Sequence, residues 1–262
     1  MKKIIITSTV MILHALLINV HAQSQKPEIV TDRPDQTEAP VLVPRGAVQV
    51  ETGFVYENDR EQNVNTTNYT YNTTLIKYGI NENFEFRFIS EYLGEQTLIE
   101  ETPVKRSVKG LSPLAFGFKV KLADERGFWP QAALIGHINI KSGAKEFAPD
   151  YTAADFRFTF AHTLSDKFSL SYNLGAEWNG ETPEADFLYT LSLGYAITKR
   201  MAAYIETYSF FPETSKADNR ADAGITYKFT PVVQWDVSGG IGLCSNAPDY
   251  FLSTGISFRL LK

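Results

Sequence analysis

"FSLSYNLGAEW" (Phe168–Trp178) decides how the rest of the chain is read. Phe168, Leu170, Tyr172, Leu174 and Trp178 fall on one alternate series, and Ser169, Ser171, Asn173, Gly175 and Glu177 on the other. A helix would group its apolar residues with period 3.6, and this stretch has period two, so it is a strand with one apolar and one polar face. The pattern continues on both sides. Phe156, Phe158 and Phe160 alternate with Arg157, Thr159 and Ala161, and Phe187, Tyr189, Leu191, Leu193 and Tyr195 enclose Thr190, Ser192 and Gly194. Further out, the same alternation runs through Val48–Glu57, Phe84–Phe88, Leu114–Leu122, Val233–Ile241 and Leu252–Leu260.

Filling the weaker stretches predicts about twelve strands, near 46–58, 66–80, 83–97, 108–123, 128–141, 153–164, 167–179, 185–198, 200–211, 218–229, 232–244 and 249–261. In 200–211 the face is ambiguous, and placing Glu206 inward sends Tyr204 and Tyr208 with it. Their length, ~10 residues or more, is that of strands spanning a bilayer. The connections after strands two, six, eight and ten are tight (Asn81-Glu82, Ser165-Asp166, Thr198-Lys199, Thr230-Pro231). Those after odd strands are mostly longer: 59–65, 98–107, 142–152, 180–184, 212–217 and 245–248. Short turns at one end and longer loops at the other characterise outer-membrane barrels. Tyr56, Tyr78, Trp178, Tyr195 and Trp235 near strand ends would form the aromatic girdles. The expected fold is therefore all-β: a transmembrane antiparallel up-and-down barrel. A soluble sandwich or lipocalin-like barrel has shorter strands and the opposite arrangement, apolar inside.

The 262 residues carry 25 basic and 30 acidic side chains and no basic run, which argues against a nucleic-acid partner. Lys2 and Lys3, the mostly apolar Ile4–Val20 and a small-residue site at Val20-His21-Ala22 read as a signal peptide over 1–22. Residues 23–45 then form an N-terminal segment facing the periplasm or the lumen, and 46–262 the barrel. Cys244 is the only cysteine, so no internal disulfide forms.

The segment "TDRPDQTEAPVLVPRGAVQVETGF" (31–54) holds Asp32-Arg33-Pro34, Thr37-Glu38-Ala39-Pro40, Val43-Pro44-Arg45-Gly46 and Gln49-Val50-Glu51-Thr52-Gly53. It resembles the start of the bacterial outer-membrane "transporter" family named for the meta-pathway of phenol degradation. "TTLIKYGINENFEFRF" (73–88) and "GLSPLAFGFKVKL" (110–122) resemble that family's second hairpin and fourth strand. The resemblance implies an outer-membrane barrel with a transport role, and nothing in the residues points to phenol itself.

Two prolines and four charges exclude helix or central strand for 31–40. The segment is expected to fold against the lumen, with Asp32, Arg33, Asp35 and Glu38 pairing to inward charges, since buried charges need partners. The alternative is a periplasmic tether that touches nothing. Lumen-lining candidates from the alternation are Glu51, Arg87, Lys119, Glu177, Glu206, Asp236 and Arg259, within a longer series that includes Lys77, Glu85, His137, Asn173 and Asp222. Mixed signs either line a path for solutes or close it as a salt-bridged network. No Gly-x-Ser-x-Gly elbow and no His-Glu-x-x-His motif occurs. Neither enzyme chemistry, a metal nor a cofactor is indicated, although His162 lies close to Ser165 and Asp166.

The expectation is a barrel in the outer membrane of a Gram-negative bacterium for passive passage of small solutes, apolar or aromatic ones included. Its partners are outer-membrane lipid, an unidentified solute and the barrel-assembly machinery. The alternatives are a closed structural or binding barrel without conductance and an outer-membrane lipid-modifying enzyme.

Overall fold

The computed structural model describes residues 27–99, 105–213 and 215–260; the expected signal peptide lies outside them. Thirteen strands follow one another: β1 (Val48–Glu61), β2 (Val64–Asn81), β3 (Phe84–Ile99), β4 (Lys105–Leu111), β5 (Ala115–Ala123), β6 (Gln131–Asn139), β7 (Ala154–Thr163), β8 (Phe168–Trp178), β9 (Asp186–Ala196), β10 (Met201–Phe211), β11 (Asp218–Thr230), β12 (Val233–Gly242) and β13 (Tyr250–Leu260). Neighbours in the chain pair antiparallel except β4 and β5, which both pair with β3, and β13 returns to β1 with Val48 opposite Leu260. The sheet is thereby closed.

β4 and β5 occupy one position in the wall. β4 pairs with the Tyr92–Leu98 part of β3 and β5 with the Phe84–Ile89 part. The fourth predicted strand is thus broken at Ser112-Pro113-Leu114, because Pro113 has no N–H for the ladder. Counted as wall positions, the barrel has twelve strands. The first predicted loop, 59–65, also differs. β1 and β2 continue to a turn at Gln62-Asn63, and the Asn58 side chain bridges to Asn65 and Thr67 across the extended hairpin (2.7 and 3.1 Å). Side chains able to pair across the ladder carry the strands past the point where apolar alternation fades.

The two faces are chemically opposite. Apolar side chains such as Phe158, Leu174 and Phe187 are exposed on the outside. Inside, Glu51, Lys77, Glu85, Arg87, Lys119, Asn173 and Asp236 are each 1% exposed or less. An apolar exterior around a sheet closed on itself is what a bilayer requires, since lipid offers no hydrogen bonds to an open sheet edge. Aromatic rings gather near the ends. Tyr69 stacks on Tyr71 (5.4 Å) and packs edge-on against Tyr56 (5.5 Å) at the long-loop end, and Phe168 lies 5.0 Å from Tyr195 at the other.

Candidate functional site: the N-terminal segment in the barrel lumen

Residues 29–45 run into the barrel interior and out again. Ile29 N–H donates to Pro231 O (2.7 Å), beside the β11–β12 turn. On the way out, Gly46 N–H donates to Gly79 O (2.7 Å) near the β2–β3 turn. Both anchor points are at the tight-turn end, which is the periplasmic end of such barrels. Ile29, Val43 and Ala47 are buried there, which fixes the two ends of the segment by apolar contact. Gly46 adopts φ +75, a conformation that costs glycine little.

Asp32 sits among three cations. Its carboxylate accepts from Lys77 Nζ (2.9 Å), Arg87 Nη1 (2.8 Å) and Lys119 Nζ (3.0 Å). Lys77 also pairs with Glu51, Arg87 with Glu85 (3.2 Å) and with Glu38 (2.7 Å). The Asp32 and Arg33 amides donate to Glu51 Oε2 (2.9 and 3.1 Å), and Val43 N–H donates to Glu85 Oε2 (2.7 Å). Burial pushes the Asp32 carboxyl up, but Lys119, Lys77 and Arg87 outweigh it and hold the group well below the usual carboxylate range.

Arg33 reaches β2, β12 and β13. It pairs with Asp236 (Nη2–Oδ1, 3.0 Å) and donates to Ser253 Oγ (2.9 Å) and Thr73 Oγ1 (3.2 Å). Room for it comes from Gly53 and Gly255, which face each other across β1 and β13; a Cβ at either would run into the guanidinium. Beyond the turn, the Gln36 and Thr37 amides donate to Glu206 (2.7 and 2.8 Å), and the Thr37 hydroxyl bonds both Glu206 and Thr190. Glu38 N–H donates to Asn173 Oδ1 (2.8 Å), and Asn173 Nδ2 returns a bond to Glu38 O (3.0 Å). Lys119 Nζ donates to Ala39 O (2.7 Å).

Asp35 has different surroundings. The Ser192 hydroxyl donates to its carboxylate (3.2 Å). Burial first, and then the Glu206 carboxylate, push its carboxyl well above the usual range. Asp222 stands opposite Glu206 in the β10–β11 ladder, and neither of its carboxylate oxygens has a hydrogen-bond partner among the described residues.

Of the remaining sequence candidates, Arg259 is buried and donates to Gln49 Oε1 (2.9 Å) and Pro27 O (3.1 Å). Glu177 is less enclosed and lies 3.5 Å from Arg157. The segment's neutral partners Thr73, Thr190, Ser192 and Ser253 were not singled out from sequence; only their place on the polar series could have flagged them. His137 accepts from Arg87 Nε (2.9 Å) and meets Asp155 (3.0 Å). His162 lies against Tyr172, and Ser165 Oγ accepts from backbone amides of its own turn. No Ser–His pair is formed by these groups.

A closed barrel with a lipid-compatible exterior and a charged lumen filled by its own N-terminal segment is an outer-membrane β-barrel of the channel type in architecture. The family described as "Putative MetA-pathway of phenol degradation" matches residues 31–260, and this chain belongs to it. The fold is similar to that of an outer-membrane channel from Pseudomonas putida F1, with a TM-score of 0.67 at 10% identity over 92% of this chain and 100% of that one. KdgM porin is similar with a TM-score of 0.50 at 10% identity, over 80% and 99%. The transport unit of the autotransporter AIDA-I from Escherichia coli is similar with a TM-score of 0.54 at 9% identity, over 82% and 90%. No curated protein sequence matches.

Proposed function

We propose that this protein lets small solutes cross the outer membrane passively and that residues 29–45 gate the path as a plug. The observation that carries the reading is the ionic docking of the segment: Asp32, Arg33 and Glu38 pair with Lys77, Arg87, Lys119 and Asp236 inside a wall whose outer face suits lipid. The lining roles of Glu51, Arg87, Lys119, Glu177, Glu206, Asp236 and Arg259 belong to the same proposal. Passage then requires the segment to shift, which makes transfer slow and selective rather than that of a general pore. The same docking supports a second reading, a barrel that stays closed. Conductance of the refolded mature chain in a planar bilayer, with and without residues 24–42, separates them. Current that rises on deletion supports gating, and unchanged current defeats the plug.

A further inference from the structure

On the long-loop side of the segment lies a cavity of about 250 Å³, bounded below by Arg33, Asp35 and Gln36 and at the sides by Glu57, Glu91, Tyr208, Arg220 and Phe251, among others. At ~30 Å³ per water it has room for about eight, or for a small organic molecule built on a single ring. Its two cations are already committed. Arg33 is neutralised by Asp236 (3.0 Å), and Arg220 by Asp218 (2.6 Å) and Glu57 (2.9 Å). The carboxylate of Glu91, opposite Thr73 in the β2–β3 ladder, has neither a hydrogen bond nor an ion pair among the described residues. Asp35, whose carboxylate accepts from the Ser192 hydroxyl, offers a second acceptor. The cavity therefore presents spare acceptors and no spare cation, beside the aromatic side chains of Phe251 and Tyr208. Glu91 is half-buried, and a carboxylate partly withdrawn from water without a partner is best offset by a donor carrying positive charge, while an aromatic face also favours a cation.

We infer that this cavity binds a small organic cation, a protonated amine on a compact apolar body, with Glu91 as its counter-ion. As the solute class of the gated path the inference rests on the passage reading, but as a binding site it is measured without any transport. Titration calorimetry of the detergent-solubilised mature protein compares benzylammonium with benzyl alcohol, which has nearly the same shape and no charge. Benzylammonium is expected to bind more tightly. Glu91→Gln should weaken it about tenfold or more, the size of one charge-assisted hydrogen bond, and leave benzyl alcohol unaffected. Glu91→Asp keeps the charge and should retain the preference. Heat-modifiable electrophoretic mobility shows that each variant is folded. Equal affinity for the two probes, no benzylammonium binding, or a folded Glu91→Gln variant that binds like the parent would overturn the inference. Charge-dependent binding in a barrel that never conducts would instead defeat the passage reading and leave the site standing.

Discussion

Asp32 and Asp35 are three residues apart and titrate in opposite senses. Asp32 has its pKa depressed in the folded state, so its contribution to docking is present above the ordinary carboxylate value near ~3.9 and is lost as pH falls through the folded value. Asp35 has its pKa raised, so its contribution is present below ~3.9 and is lost as pH rises through the folded value. Asp32→Asn should loosen the segment at neutral pH by about 3–5 kcal/mol, because it leaves buried cations short of a partner. Asp35→Asn should tighten docking at neutral and alkaline pH and flatten its pH dependence. Protease cleavage within 29–45, followed against pH, reads both, and cleavage changing in the same direction for the two variants would be inconsistent with these environments. Gly53 gives a third residue-scale test. Gly53→Leu places a side chain where the Arg33 guanidinium lies, and should raise conductance by separating Arg33 from Asp236.

At the scale of elements, the strands were legible and the docking pairs largely were not. Phe168–Trp178 shows its strand directly, because a bilayer on one side and a polar lumen on the other impose a strict two-residue period. The break at Pro113 and the length of the β1–β2 hairpin depend on ladder hydrogen bonds, which alternation does not report. The charges of Asp32, Arg33 and Glu38 marked the segment as needing partners. That Asp32 meets Lys77, Arg87 and Lys119, and Arg33 meets Asp236, depends on which strands the closed barrel brings round, separations of 45 to 203 residues. Because Lys77, Arg87 and Lys119 are buried, salt should screen these pairs little. The segment is expected to stay protected from protease in about 1 M salt, where the screening length is ~3 Å. Release by salt alone would show that the pairs are solvent-accessible.

For the whole molecule, the two faces set where charge is tolerated. Phe158 is at the middle of β7 and exposed outward, whereas Thr159 beside it is fully buried. Phe158→Lys should destabilise the barrel in lipid by ~2–4 kcal/mol, read from urea unfolding in vesicles. A negligible effect would place Phe158 away from the hydrocarbon. The architecture is shared with channels and with an autotransporter's transport unit, so the fold alone does not assign a solute. In the proposed reading, function turns on what occupies the lumen. Single-channel conductance of residues 23–262, compared with the same chain lacking residues 24–42, tests this most directly. The expected result is small or rare steps from the intact protein and larger, sustained steps after deletion. Equal conductance from two folded barrels, or none from either, would contradict a path gated by the N-terminal segment.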